Sequence, residues 1–289
     1  WSVASESPAL ARDATPSSPL PPLALALAAV VLGTVMRAVQ YLPVQEYVPW
    51  SPRAGGIGYD YATSFSFPLE ETINMYLPQF SGILDRYWGR NGIHFHSEYI
   101  GATVLVLALF TFGGGLVNRH RSHAWFWLGV LMVSVLWAWG GNTPFYHLVY
   151  AVVPGSTFFR APSTILYVSA FACAVLAAFG AERALAGKGT GRYAIGWGSF
   201  ALVVGVLATS GAFTKLAMSI LGDGRGDLIE ANASSVVVGA WRSAVAVLAV
   251  VGLMIAVARG ALKASVAGWA LAGVVALDLW SVERNYWTF

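Results

Sequence analysis

Seven apolar stretches, at roughly 20–39, 99–117, 124–139, 165–181, 193–213, 243–258 and 265–280, decide what this chain can become. A bilayer core about 30 Å thick is crossed by about 20 helical residues. Inside it every backbone N–H and C=O must find its partner within the segment, which leaves the helix as the form for such runs. Composition agrees: 57% of residues are hydrophobic and 11% charged, against roughly a quarter charged in ordinary soluble domains. So much apolar surface excludes a water-soluble enzyme, a disordered tail and a nucleic-acid-binding module. The expected fold class is all-α, a polytopic transmembrane helix bundle of about seven spans (20–289) whose long outer loops carry interfacial helices.

The connections between the runs give the bundle a polarity. Three short ones hold Arg119 and Arg121; Arg183, Lys188 and Arg192; and Arg259 and Lys263, with Glu182 as their one acid. They alternate along the chain, so they share a side, and the positive-inside rule makes that side cytoplasmic. The opposite connections, 40–98, 140–164 and 214–242, are long and hold most of the acids. The expectation is a cytoplasmic N-terminus, an outer C-terminus and Trp50, Trp88, Trp137, Trp139, Trp241, Trp280 and Trp287 in an outer interfacial belt. Residues 69–89 read as a helix broken by Pro78 and lying in the membrane plane, and 144–153 as a second interfacial or re-entrant helix. Residues 1–19 are a Ser/Pro-rich tail or linker. The start at Trp1 and the stop at ERNYWTF read as those of an internal piece of a longer protein. The single cysteine, Cys173, excludes an intramolecular disulfide.

Candidate functional residues sit in the outer loops. His94, His96 and Glu98 recur at i, i+2 and i+4. On a strand that would align three polar side chains, suited to contact with a polar or phosphorylated substrate or to a hydrogen-bonded collar where the chain re-enters the membrane; no metal is assigned to them. Arg160 stands in GSTFFRAPST, otherwise uncharged, one turn before a span. It can pair with a phosphate or carboxylate through two parallel bonds, or bridge to an outer acid, and Arg53, Arg86 and Arg90 could join it in an anion-binding vestibule. Asp278 and Arg37 lie near the outer ends of spans and read as snorkelling or mutually paired charges. The string GDGRGD (222–227) and the glycosylation sequon at Asn232 are weak signals.

The ordered blocks VQYLPVQEY, SPRAGG–GYDYATSFSFPLEE, YLPQFSG, YWGRNGIHFHSEYIG, PGSTFFRAPSTILY and LDLWSVERNYW, over about 39–289, resemble bacterial YfhO-type membrane proteins, which are similar to GT-C glycosyltransferases. The resemblance implies transfer of a sugar from a polyprenyl-phosphate carrier at the outer face of the bacterial cytoplasmic membrane, with that donor and membrane lipid as partners. It places this chain in the later membrane helices, after the loop that bears the family's catalytic acid, so no catalytic residue is carried over. Glu46, Arg53, His94, His96, Glu98 and Arg160 are the positions expected to line the outer cavity as binding groups, with general-base help from Glu46 or Glu98. Thr164 stands where the family often has a second basic residue. The cofactor and the metal requirement are left open by the sequence. Two other readings remain: a non-catalytic subunit of a larger membrane assembly, and a lipid or solute transporter, the latter weakened by the scarcity of polar residues at span centres.

Overall fold

A computed structural model describes residues 20–51, 54–55, 57–92, 97–113, 121–187 and 189–287. Among these residues every regular element is helical and none is a strand. The chain divides into two compact units at Gly56–Ile57.

The first unit holds α1 (Leu20–Met36) and α2 (Ala38–Tyr47), followed by a 3-10 turn at Val48–Trp50. Together the two helices have the length and apolarity of one span bent by 61°. The break falls at Arg37, which still donates to Gly33 O at 3.2 Å while its own carbonyl accepts from Gln40 N at 2.9 Å. None of the unit's described side chains is buried.

In the second unit come α3 (Tyr59–Ala62), α4 (Ala102–Phe110), α5 (Arg121–Ala138), α6 (Phe145–Val152), α7 (Leu166–Leu185), α8 (Gly191–Thr209), α9 (Ala212–Leu221), α10 (Gly226–Ala258) and α11 (Ala264–Glu283). Four stretches are long and apolar enough to cross a membrane: Pro162–Leu185, Gly191–Thr209, Gly226–Ala258 and Ala264–Tyr286. The bent pair of the first unit makes a fifth. These helices make the chain an integral membrane protein. The apolar runs at 99–117 and 124–139 yield shorter described helices, α4 with 9 residues and α5 with 18.

The core shows why α4 is apolar all round. A helix hydrophobic on every face is one enclosed by others, and Ala102, Thr103, Val104, Val106, Leu107, Ala108 and Phe110 of α4 are all buried. They pack with Leu176 of α7, Ala201 of α8, Val247 and Met254 of α10 and Leu271 of α11. The approach to α7 is close because Gly180 offers no side chain: a Cβ there would lie 1.8 Å from Leu107 O. Small residues that let helix backbones meet are the usual device of membrane bundles.

Both ends of α4 are held by charges from other helices. At its start Asp278 of α11, 4% exposed, accepts from the Thr103 N–H at 3.1 Å and its hydroxyl at 2.7 Å, and from Tyr99 Oη at 2.7 Å. A carboxylate at a helix N-terminus meets unpaired N–H groups and the positive end of the helix dipole. Asp278 is therefore a cap, and snorkelling does not describe it. At the other end the Arg183 guanidinium of α7 donates to Phe110 O at 3.2 Å, to Thr111 O at 3.4 Å and to Gly113 O, and lies over the Phe110 ring. The basic residue that the sequence offers as a topology signal thus also satisfies the last carbonyls of α4.

The segment 214–242, expected as a loop, is mostly helix. Ten residues form α9, and α10 then runs for 33 residues without interruption. At 1.5 Å per residue α10 is about 50 Å long, well beyond a bilayer core of about 30 Å, and its first part stands in the assembly of connections described next.

Candidate functional site

Three connections meet at one end of the bundle to form a cap. Its centre is the segment 57–92, which is not a broken interfacial helix. It contains short α3, an extended stretch to Pro68, 3-10 turns at Leu69–Met75 and Leu84–Arg86, and a turn carrying Pro78. Pro78, Gly82 and a run of polar residues deny the segment a continuous i→i+4 ladder, and its backbone groups pair instead with neighbouring segments. On one flank Phe65 N donates to Arg160 O at 3.2 Å, Phe67 N to Ala138 O at 2.8 Å, and Asn142 Nδ2 to Phe67 O at 2.9 Å. Trp139 adds an indole N–H to Thr72 Oγ1 at 3.0 Å.

On the other flank stands the first third of α10. Arg225 donates to Trp88 O at 2.6 Å and to Gly89 O, while Asn232 Nδ2 donates to Gln79 O at 2.8 Å and Phe80 O at 3.2 Å. Gly239 lets the helix touch this segment, since a Cβ would sit 2.6 Å from Pro78 O. Asn232 is 1% exposed, so its sequon is a buried structural contact, and the Arg of GDGRGD is an anchor for the cap. Trp88 is corrected likewise: it is buried, its Nε1–H donates to Phe80 O at 2.9 Å, and it has no place in an interfacial belt.

A buried acid sits within the cap. Glu71 has no exposed surface. Its Oε1 accepts from Tyr87 Oη at 2.7 Å, Arg90 N at 3.0 Å and Asn91 N at 3.3 Å. Its Oε2 has no hydrogen-bond partner among the described residues. Burial pushes the Glu71 carboxyl above its usual range, against the pull of those donors, and pushes the Tyr87 phenol up as well. Next to it, Asn91 Nδ2 donates to Glu98 Oε1 at 3.4 Å. Burial first, and the Glu71 charge second, push the Glu98 carboxyl up to about 8.

Glu98 also lines a cleft of about 240 Å³. The polar part of its wall is Ser97, Glu98, Tyr99, Ser163, Thr164 and Tyr167; the apolar part is Met75, Ile100, Leu166 and Ala170. The cleft lies at the first turn of α7, where the chain passes from the cap into an apolar helix; the Tyr99 hydroxyl itself is turned to Asp278. Around the corner of the same turn an apolar groove of about 510 Å³ runs between α5 and α7, bounded by Trp125, Phe126, Val133, Trp137, Ile165 and Val168.

The expected site residues are therefore partly assembled. Glu98 is in the cleft wall. Arg160 belongs to the loop that supplies Ser163 and Thr164; it is exposed, and its guanidinium lies 4.7 Å from the Phe65 ring centre and 5.8 Å from that of Tyr61. Stacking of this kind fixes the plane of a guanidinium while leaving its N–H edge open. Arg90 does not join an anion-binding set, because it is paired with Glu70 at 2.6 Å. Glu46 is exposed on α2, in the first unit. Arg53, His94 and His96 lie outside the described residues. Glu71, Tyr87 and Asn91 were not singled out by sequence; the one available signal was a pair of acids, Glu70 and Glu71, inside an aromatic and apolar segment. No family model, curated protein or solved structure matches the chain.

Proposed function

We propose that this chain is part of a YfhO-type, GT-C-like membrane glycosyltransferase that binds a polyprenyl-phosphate-linked sugar at the outer face of the bacterial cytoplasmic membrane. The observation that carries this reading is the cleft at the first turn of α7, whose wall combines Ser97, Glu98, Ser163 and Tyr167 with Met75, Ile100, Leu166 and Ala170. A lipid-linked sugar needs that combination: polar groups for the sugar hydroxyls at the depth where an apolar chain must remain in the bilayer. The groove along α5 supports it, since an isoprenoid tail can lie there while its head reaches the turn at Ile165. Arg160, stacked and open, is the group suited to the phosphate.

The same reading takes the bundle as seven spans, with α4 and α5 belonging to the second and third. The cap end is outside and the end bearing Arg121, Arg183, Arg192, Arg259 and Lys263 is cytoplasmic. The amphipathic α9, which exposes Leu216 and Ile220, then lies in the outer interface.

The test is binding of a short-chain polyprenyl phosphate and of the matching polyprenol to the full chain in lipid nanodiscs. The reading expects the phosphate to bind at least about ten-fold tighter, and Arg160→Ala to remove that preference, as loss of a charge-assisted bond worth about 1.5–3 kcal/mol would do. Equal binding of the two lipids, or a preference untouched by Arg160→Ala, would reject it.

A further inference from the structure

Where α10 and α11 run side by side below the cap, two arginines stand close together with no carboxylate to pair them among the described residues. Arg242 of α10 donates from Nη1 to Ser281 O on α11 at 3.0 Å. Its Nε and Nη2 are buried and have no hydrogen-bond partner among the described residues. The titratable groups close enough to act on it are Tyr99, Asp278 and Arg284. Asp278 is already engaged: Oδ1 accepts from Tyr99 Oη, and Oδ2 accepts from the Thr103 N–H and hydroxyl. Arg284, at the end of α11, is exposed and adds a second positive charge. Its guanidinium lies 5.2 Å from the Trp280 ring centre, which holds its plane and leaves its N–H edge open. Donors shut away from water call for a resident partner. A water molecule can satisfy them, but only an anion also answers the second charge.

Depth in the bilayer says which anion. Between Ala258, the end of α10, and Ala264, the start of α11, the turn carries exposed Arg259 and Lys263, the mark of helix ends at the level of the headgroups. At 1.5 Å per residue, Arg242 stands about 26 Å from Arg259, and Arg284 about 32 Å from Lys263. Against a hydrocarbon core about 30 Å thick, Arg242 is just inside the far boundary and Arg284 just beyond it. Trp280 and Trp287, both exposed, lie at that level, where tryptophans gather at a bilayer surface. We infer that Arg242 and Arg284 together bind the phosphate of an anionic phospholipid in the leaflet on the cap side. Guanidinium groups suit a phosphodiester, which takes parallel N–H bonds from each. The acyl chains then run back into the bilayer beside Val245 and Leu277, both exposed. This site is distinct from the cleft and from Arg160, and it does not depend on the transferase reading.

The test uses the full chain in detergent and three probes: short-chain phosphatidylglycerol, phosphatidylcholine of the same chain length, and inorganic phosphate. Native mass spectrometry should show one phosphatidylglycerol held at least about ten-fold more tightly than phosphatidylcholine, the scale of one charge-assisted bond. Arg284→Gln alters an exposed side chain and should remove that preference while leaving the unfolding temperature in lipid-free detergent unchanged. Arg242→Lys keeps the charge and should lose part of the preference, because an ammonium cannot offer parallel bonds. Arg192→Gln takes the same charge from the opposite end of the bundle and should change nothing, which separates a site from general attraction. A phosphatidylglycerol with a photoactivatable group near its phosphate should label the peptide that holds Trp280 and Arg284. Equal retention of the two lipids, a preference untouched by Arg284→Gln, or labelling confined to α5 and α7 would each overturn the inference. Displacement of the lipid by inorganic phosphate at equal concentration would overturn it as well, since the site would then take a free anion with no share for the acyl chains.

Discussion

Asp278 closes the start of α4 by gripping Thr103 twice, through the backbone N–H at 3.1 Å and the hydroxyl at 2.7 Å. The two residues are 175 positions apart, so the last helix of the chain is fastened to the helix at the centre of the core. Replacing Asp278 by Ala strands a helix N-terminus and the Tyr99 hydroxyl inside the bundle. A loss of about 3 kcal/mol is expected, the scale for hydrogen bonds to a charged group, seen as a lower unfolding temperature in detergent. An unchanged temperature would mean that this contact does not support the bundle.

At the opposite end of α4, Arg183→Ala should cost about 1.5–3 kcal/mol, because three carbonyls lose a charged donor at once. Arg183→Lys should recover little of this. An ammonium is a point donor and cannot span Phe110, Thr111 and Gly113 as the planar guanidinium does. Full recovery by Lys in the same melting assay would show that charge alone is at work.

The acid pair also makes stability depend on pH. In the folded protein Glu98 holds its proton up to about 8, against an ordinary value of 4.5, and Glu71 is raised in the same direction. Between those limits the folded chain binds more protons than the unfolded one, so stability falls as pH rises. The unfolding temperature should drop from pH 5 to about pH 8 and then level. Glu98→Gln should remove most of the drop; a drop of the same size in that variant would assign it to other groups.

Sidedness can be read with single cysteines in a Cys173→Ser background. Arg160→Cys lies at the cap end and Arg192→Cys at the basic end. On intact cells a membrane-impermeant maleimide should label the first and reach the second only after lysis. The reverse pattern would invert the orientation.

The apolar runs made the helical class plain from the sequence, because twenty uncharged residues in a row have few other fates. The roles of polar residues near the helix ends were less legible. Arg183 reads as a topology signal, and its grip on α4 depends on the close packing allowed by Gly180. Asp278 reads as a snorkelling or paired charge near the end of a span, since nothing in its own neighbourhood announces Thr103. The segment 214–242 looks like a loop by hydropathy, yet it is helix because Arg225 and Asn232 have backbone carbonyls of another segment to hold. Glu98 was visible as a polar residue beside a span. Glu71 was hidden, for its significance comes from Asn91, which only the folded chain places between the two acids.

The segment 57–92 is tied on one flank to the loops around Arg160 and Asn142, and on the other to a helix that continues unbroken to the far end of the bundle. Both flanks of the cap are thus fastened to other parts of the chain. Beside the cleft, on the flank of α7, Tyr167 is 74% exposed. Under the transferase reading proposed above, that flank is the side from which a guest already dissolved in the membrane would reach the cleft.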